Sequence, residues 1–230
     1  MPRSARCIAA FSIAVLLLTS GLTCQASAPE PAAAAYVLME ADSGRVLLAR
    51  NEEQRRSIAS TTKIMTCLVA LEHSTLTDKV TVRREHLREG SSMYLAEGES
   101  LTMEELLYGL MLPSGNDAAE CIAAHCGGSG GSKQFIAWMN EKAASLGMTH
   151  TAFLNPSGLD ESGHGSCALD MARLAACAMQ DPTFARIVST RTACVGARTM
   201  TNHNKLLASY PGCIGLKTGY TGDAGRTLVT

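Results

Sequence analysis

An α+β fold is the class this sequence predicts, and three observations predict it. Two apolar runs split by a turn lie near the N-terminus, a long middle carries helical periodicity, and strand patterning returns at the C-terminal end. Strand segments that far apart, bracketing helices, imply one mixed sheet with a helical lobe inserted. The length of 230 residues is enough for one sizeable core.

The elements follow in order. "PEPAAAA" (29–35) is a linker. "YVLME" (36–40) and "GRVLLAR" (44–50), split by Ala41-Asp42-Ser43, read with Gly44 as a β-hairpin. A helix starts near Ser60, with Ile64, Leu68 and Leu71 at i, i+4 and i+7, flanked by Met65 and Val69. "TMEELLYGLML" (102–112) is a second helix. Thr102 and Glu105 form its capping box, Met103, Leu106, Leu107 and Leu110 its apolar face, and Pro113 its stop. Ser114-Gly115-Asn116 falls in the turn before a third helix, "DAAECIAAHC". Ser132 is expected to cap a fourth, with Phe135, Met139 and Ala143 inward and Gly147 at its end. "NPSGLDESGHG" (155–165) is a loop rich in turn formers, and "ALDMARLAACAM" (168–179) is helical up to Asp181-Pro182. "CIGLKTGY" (213–220) reads as a strand, and "RTLVT" begins another.

Composition narrows the function classes. Hydrophobic content of 46% and charged content of 18% fit a globular chain, and a net charge of −1 without a basic stripe argues against a nucleic-acid partner. Arg3 and Arg6, the apolar run "CIAAFSIAVLLLTSGL" and Ala26-x-Ala28 read as a signal peptide over residues 1–28, so the chain is expected to be exported. An uncut membrane anchor is the alternative. Cys24 raises a lipoprotein reading, but Gly21-Leu22-Thr23 matches that pattern poorly. No later segment is long and apolar enough to span a bilayer. Cys67, Cys121, Cys126, Cys167, Cys177, Cys194 and Cys213 follow the leader, and no Cys-x-x-Cys pair occurs among them. His164 and Asp170 could be imagined as a zinc pair, but no third ligand at sensible spacing accompanies them. Neither metal nor cofactor is expected.

The chemistry sits in three places. Ser60 and Lys63 are three residues apart at a helix start, so both lie on one face, about 5–6 Å apart between Cβ atoms. A serine hydroxyl is a poor nucleophile until a neighbour takes its proton, and a lysine serves as that base only when desolvated or crowded by another cation. Lys217 could supply the crowding. Ser60 at a helix N-terminus also presents a free backbone N–H to a developing oxyanion. Ser-x-x-Lys alone is weak, since a chain of this length contains about one by chance. Ser60 could be only an N-cap, Ser114 and Asn116 turn formers, and Lys217-Thr218-Gly219 an edge strand. All three motifs occur in order, however, each in the context its chemistry needs.

Wider stretches carry a resemblance. "ASTTKIMT", "LMLPSGNDAAE", "MNEKAASLGMTHTAFLNPSGLD", "HGSCALDMARLA" and "YPGCIGLKTGYTGDAGR" closely resemble the D-alanyl-D-alanine carboxypeptidases, the low-molecular-mass penicillin-binding proteins of serine peptidase type. The resemblance runs from about residue 35 to the last residue. It implies a β-lactamase/transpeptidase-like fold and a penicillin-binding catalytic domain over residues 36–230. It implies that Ser60 attacks the carbonyl between the terminal D-alanines of a peptidoglycan pentapeptide, that Lys63 takes its proton, and that Ser114 helps pass it to the leaving amine, with Lys217 tuning that step. Asn116 would orient the substrate amide and Lys63. Lys217 and Thr218 would receive the terminal carboxylate. Gly219 would leave room for the peptide along the strand, and the N–H groups of Ser60 and Tyr220 would form the oxyanion hole. β-Lactams would act as covalent inhibitors.

Departures accompany the likeness. Class A β-lactamases have Ser-Asp-Asn where this chain has Ser114-Gly115-Asn116, and no convincing counterpart of their deacylating glutamate loop appears, with Glu161 the one acid to consider. Cys167 stands where the family more often has threonine. Family members continue through further strands and a final helix, and many through a membrane anchor. The chain is therefore expected to be C-terminally incomplete, to lack a central strand and to fold poorly. A DD-endopeptidase, a β-lactamase of the same fold, or an inactive peptidoglycan- or penicillin-binding remnant are the alternatives to a carboxypeptidase.

Overall fold

A buried helix organises the molecule. The structure is a computed structural model that describes residues 30–230; the leader expected over residues 1–28 lies outside the described residues. Helix α1 (Lys63–His73) is buried continuously from Lys63 to Ala70, around its whole circumference, as a helix at the centre of a core must be. A 3-10 turn over Ala59–Thr62 leads into it. Five further helices pack on it: α2 (Met103–Met111), α3 (Asn116–Cys126), α4 (Gly131–Ser145), α5 (Ala168–Ala178) and α6 (Pro182–Ser189). A short α7 spans Leu206–Ser209.

Local chemistry sets the boundaries. The capping box of α2 is formed: Glu105 N–H donates to Thr102 Oγ1 (3.2 Å) and Thr102 N–H to Glu105 Oε2 (2.7 Å). Its expected apolar face of Met103, Leu106, Leu107 and Leu110 is fully buried. Helix α4 begins one residue before Ser132, after Gly130, and no side chain caps it, so Ser132 lies in the first turn and is not the cap. Gly147 follows α4 at φ +67°, the left-handed conformation a helix end favours. Asp181-Pro182 stops α5 and also starts α6. Asp181 Oδ1 accepts from the amides of Thr183 (2.7 Å) and Phe184 (3.0 Å), and Pro182 occupies a first-turn position that needs no donor.

The strands form four separate antiparallel pairs. β1 (Tyr36–Met39) pairs with β2 (Val46–Arg50), the expected hairpin. β3 (Lys79–Thr81) pairs with β4 (Ser100–Thr102), β5 (Thr192–Val195) with β6 (Arg198–Thr201), and β7 (Lys217–Thr221) with β8 (Gly225–Val229). The α+β class holds, but among the described residues the first and last hairpins share no ladder, so the single mixed sheet is not formed. Both hairpins rest instead on α5. Their outer faces leave Leu38, Leu47 and Leu228 half exposed.

The seven described cysteines are free thiols: Cys67, Cys121 and Cys167 are buried, and Cys194 is exposed. Leu106 packs in the interior with no exposure. Leu106→Ala is expected to lower unfolding free energy by about 2–5 kcal/mol, read from urea denaturation midpoints at unchanged m-value.

Candidate active site

Ser60 sits in the 3-10 turn ahead of α1, held there by an unusual backbone. Ala59 adopts φ +48°, a left-handed conformation costly for a residue with a Cβ. Its carbonyl is cradled by Gly158 (φ +84°), where an added Cβ would stand 2.0 Å from Ala59 O, so only glycine fits. Ser60 is no N-cap: neither the 3-10 turn nor α1 has a side-chain cap bond.

Lys63 has no exposure, and its Nζ has three neighbours: Ser60 Oγ at 3.0 Å, Asn116 Oδ1 at 2.8 Å and Ser157 O at 2.6 Å. The Asn116 amide is oriented by its other end, since Nδ2 donates to Glu89 O (2.9 Å). Asn116 Oδ1 and Ser157 O are therefore both pure acceptors. An uncharged amine has two N–H groups and one lone pair. With both hydrogens given to these acceptors, the lone pair is left for the hydroxyl hydrogen of Ser60. Burial holds the Lys63 amine well below its ordinary value, the nearby charge of Lys217 adds to this, and Asp117 and Glu120 oppose it. Lys217 is also buried, its Nζ donating to Thr218 O (2.9 Å), and burial lowers its pKa to about 7.

Ser114 is buried at φ +67°, and its Oγ has no hydrogen-bond partner among the described residues. A strained backbone carrying an unsatisfied hydroxyl marks a side chain held ready for something outside the chain. Gly115 is tightly placed, because a Cβ there would meet Asp117 Oδ1 at 2.8 Å and Gly109 O at 3.0 Å and displace them. Asp117, next in line, gathers the wall loop: its carboxylate accepts from Ser92 Oγ (2.5 Å), Met93 N (3.1 Å) and Leu95 N (3.1 Å). Asn116 N–H in turn donates to Ser91 O (2.7 Å).

Strand β7 closes the other side. A Cβ on Gly219 would lie 2.9 Å from Ser60 N and 2.4 Å from Thr227 Oγ1, so the strand reaches the serine only because residue 219 is glycine. Thr227 Oγ1 donates to Ile58 O (3.1 Å), fastening β8 to the turn. A cavity of about 680 Å³ opens between these walls, and Ser60, Ser114, Thr218, Gly219 and Tyr220 all line it. The eight residues singled out from the sequence are thus brought to one place: Lys63, Asn116 and Lys217 lie buried beneath the five that face the cavity.

Other groups at the site were not legible as such. Ser157 contributes a backbone carbonyl, and Ser91, His203 and Arg226 line the cavity. Burial and then the Lys217 charge lower the pKa of His203. Only the turn-rich composition of residues 155–165 signalled that this loop matters. Glu161 is exposed, accepts from Asn155 Nδ2 (3.1 Å) and does not line the cavity.

The possible metal ligands separate into two groups. His164 uses both ring nitrogens, Nδ1 accepting from Leu154 N (3.1 Å) and Nε2 facing Thr62 Oγ1 at 2.9 Å. Asp170 lies instead with His150 and Cys167, their ligand atoms within 4.8 Å of one another. There Asp170 Oδ2 accepts from His150 N (2.9 Å) and Thr151 Oγ1 (2.9 Å), and Arg173 Nη1 stands 3.0 Å from Oδ1 where a cation would bind. The group ties α5 to the preceding loop.

Comparison with known proteins places this geometry. Residues 23–230 match the sequence pattern of a family described as D-alanyl-D-alanine carboxypeptidase. The chain is 39% identical over 200 residues to the D-alanyl-D-alanine carboxypeptidase DacF of Bacillus subtilis, covering 82% of this chain and 51% of that protein. It is 38% identical over 208 residues to DacB2 of Mycobacterium tuberculosis, covering 87% and 70%. The chain therefore spans about half the length of the Bacillus relative. Among solved structures it resembles the Streptomyces K15 DD-transpeptidase, at TM-score 0.80 and 35% identity over 86% of this chain and 85% of that one. It also resembles a D-alanyl-D-alanine carboxypeptidase from Mycobacterium tuberculosis, at TM-score 0.82 and 37% identity over 88% and 79%.

The two buried amines generate a prediction. Replacing Lys217 by methionine removes the positive neighbour and is expected to raise the Lys63 pKa. Titration of the Lys63 ε-amine by NMR with labelled lysine checks this; an unchanged or lower value in Lys217→Met contradicts the coupling.

Proposed function

The chain belongs to the D-alanyl-D-alanine carboxypeptidase family, and we propose that it is a serine peptidase that removes the terminal D-alanine from peptidoglycan stem peptides, met outside the cytoplasmic membrane. The carrying observation is the buried Lys63 amine, 3.0 Å from Ser60 Oγ, with Asn116 Oδ1 and Ser157 O as its other two partners.

The steps follow from the positions. Lys63 takes the Ser60 hydroxyl proton as Oγ bonds to the carbonyl carbon between the two D-alanines. The oxygen gains negative charge beside the Ser60 backbone N–H, with the Tyr220 N–H as the second donor. The tetrahedral intermediate expels the terminal D-alanine as its C–N bond breaks. The leaving amine takes the proton from Lys63, relayed by the unpartnered Ser114 hydroxyl and tuned by Lys217. Lys217 and Thr218 hold the terminal carboxylate, and Asn116 orients both Lys63 and the substrate amide. Water, deprotonated by Lys63, then releases the shortened peptide from Ser60. A β-lactam enters the same path but stays as the acyl-enzyme. A β-lactamase reading has less support, because Glu161 faces Asn155 and among the described residues no Asp or Glu lines the cavity.

Fluorescent penicillin is expected to label the chain and to fail with Ser60→Ala. Lys63→Ala is expected to slow acylation by about 10²–10⁴-fold. D-Alanine release from a pentapeptide is expected to exceed β-lactam hydrolysis. Ser60-independent labelling, or a chain that hydrolyses β-lactams faster than peptides, contradicts the reading.

A further inference from the structure

His164 does not line the cavity, yet it is bonded to the turn that carries the nucleophile. The ring is buried, and its two nitrogens have fixed roles. Leu154 N–H donates to Nδ1 (3.1 Å), and a backbone amide only donates, so Nδ1 carries no proton. The proton of the neutral ring is therefore on Nε2, which donates to Thr62 Oγ1 at 2.9 Å. An imidazolium would set a second N–H against the Leu154 amide. Burial, the largest influence, holds His164 below its ordinary pKa; Arg55 adds to this, and Glu161 and Asp160 oppose it. Phe153 meets the ring at 67° between planes, with centroids 5.9 Å apart. Phe153 is itself held by Asn140 of α4, whose Oδ1 accepts from Phe153 N (2.9 Å).

Thr62 directly precedes Lys63, and the 155–165 loop meets this turn and the start of α1 at three places. His164 donates to Thr62, Ser157 O accepts from Lys63 Nζ (2.6 Å), and Pro156 O accepts from Thr66 Oγ1 (2.6 Å). Thr62, Lys63 and Thr66 have almost no exposure. Gly158 seats the loop flush on the same turn, since a Cβ there would lie 2.8 Å from Thr62 Oγ1. The loop is thus pinned at both ends, by residues 156 and 157 and by residue 164. One pin is the carbonyl that fixes the amine. Removing the His164 pin leaves the buried Thr62 hydroxyl and the Leu154 amide without their partner and frees one end of the loop. Moving Ser157 O then re-aims the Lys63 amine relative to Ser60 Oγ, 3.0 Å away.

We infer that His164 is a positioning residue for the acylation of Ser60: by donating to Thr62 it keeps the Ser157 carbonyl in register with the Lys63 amine. The inference rests on the serine-peptidase reading and adds a residue to it. His164 touches neither the cavity nor the reacting atoms, so its loss slows bond formation and leaves ligand affinity in place.

Acylation of the intact chain by fluorescent penicillin, followed over a range of concentrations, separates the apparent dissociation constant from the rate constant of bond formation. His164→Ala is expected to lower that rate constant by about 10- to 100-fold and to leave the dissociation constant unchanged. Two amides dissect the ring. A glutamine amide nitrogen stands where Nε2 does and keeps the donor to Thr62. An asparagine amide oxygen stands where Nδ1 does and keeps only the acceptor for Leu154. His164→Gln is expected to stay within about threefold of the unsubstituted chain, and His164→Asn to match the alanine variant. Thr62→Val is expected to slow acylation as well, and His164→Ala to add little to it, because both remove the same bond. A thermal melt of each variant reports the fold separately. An asparagine variant as fast as the unsubstituted chain, a glutamine variant no faster than alanine, or fully additive Thr62 and His164 effects overturns this inference alone. No Ser60-dependent labelling of the unsubstituted chain overturns the serine-peptidase reading, and this inference with it.

Discussion

Two lysine amines are buried side by side, and the rest of the site is arranged around that constraint. An ammonium without a counter-ion in a protein interior costs several kcal/mol, and the usual outcome is loss of its proton. Among the described residues no carboxylate contacts either Nζ; their partners are hydroxyl, amide and carbonyl oxygens. Such partners offer hydrogen bonds without a compensating negative charge, so burial still disfavours the charged form. The interior thereby lowers the proton affinity of both amines far below that of a lysine in water. Position matters as much as burial. Lys63 opens the helix that the other five pack against, so its backbone is among the best-fixed parts of the chain.

The neighbouring strain has the same origin. Ala59 in a left-handed conformation, Ser114 in another, and the close approaches at Gly158 to Ala59 O and at Gly219 to Ser60 N all lie around the nucleophile. Unfavourable local geometry is concentrated at the nucleophile and sustained by the helical core behind it.

Much of this was legible in the sequence, and the reasons differ by residue. The Ser60–Lys63 pair could be read because helical geometry makes i and i+3 neighbours without any tertiary information. The α2 boundary could be read because its cap is a local hydrogen-bond pattern. Ser157 could not be, because the direction of a backbone carbonyl depends on the turn at Gly158, and that turn depends on Ala59 about a hundred residues earlier. Strands β3 and β4 have three residues each, too few for alternation to show. The single sheet was inferred from strand patterns at the two ends of the chain, yet pairing between distant strands is a tertiary outcome, and here α5 supports both hairpins. Ser132 attracted a cap assignment by residue type, while the glycines before it let the helix begin earlier. The Asp181-Pro182 pair was read as a stop although the same two residues are the standard opening of a helix.

Asp117 draws together an amide, a hydroxyl and a second amide from the 92–95 segment, and the adjacent Asn116 amide holds Ser91. The cleft's far side is in effect an extension of α3 and not a hinged flap. Its contour is therefore set by bonds within the chain before any ligand arrives. Ligands that are stiff and already bent to that contour gain most, since neither party spends conformational entropy on meeting the other.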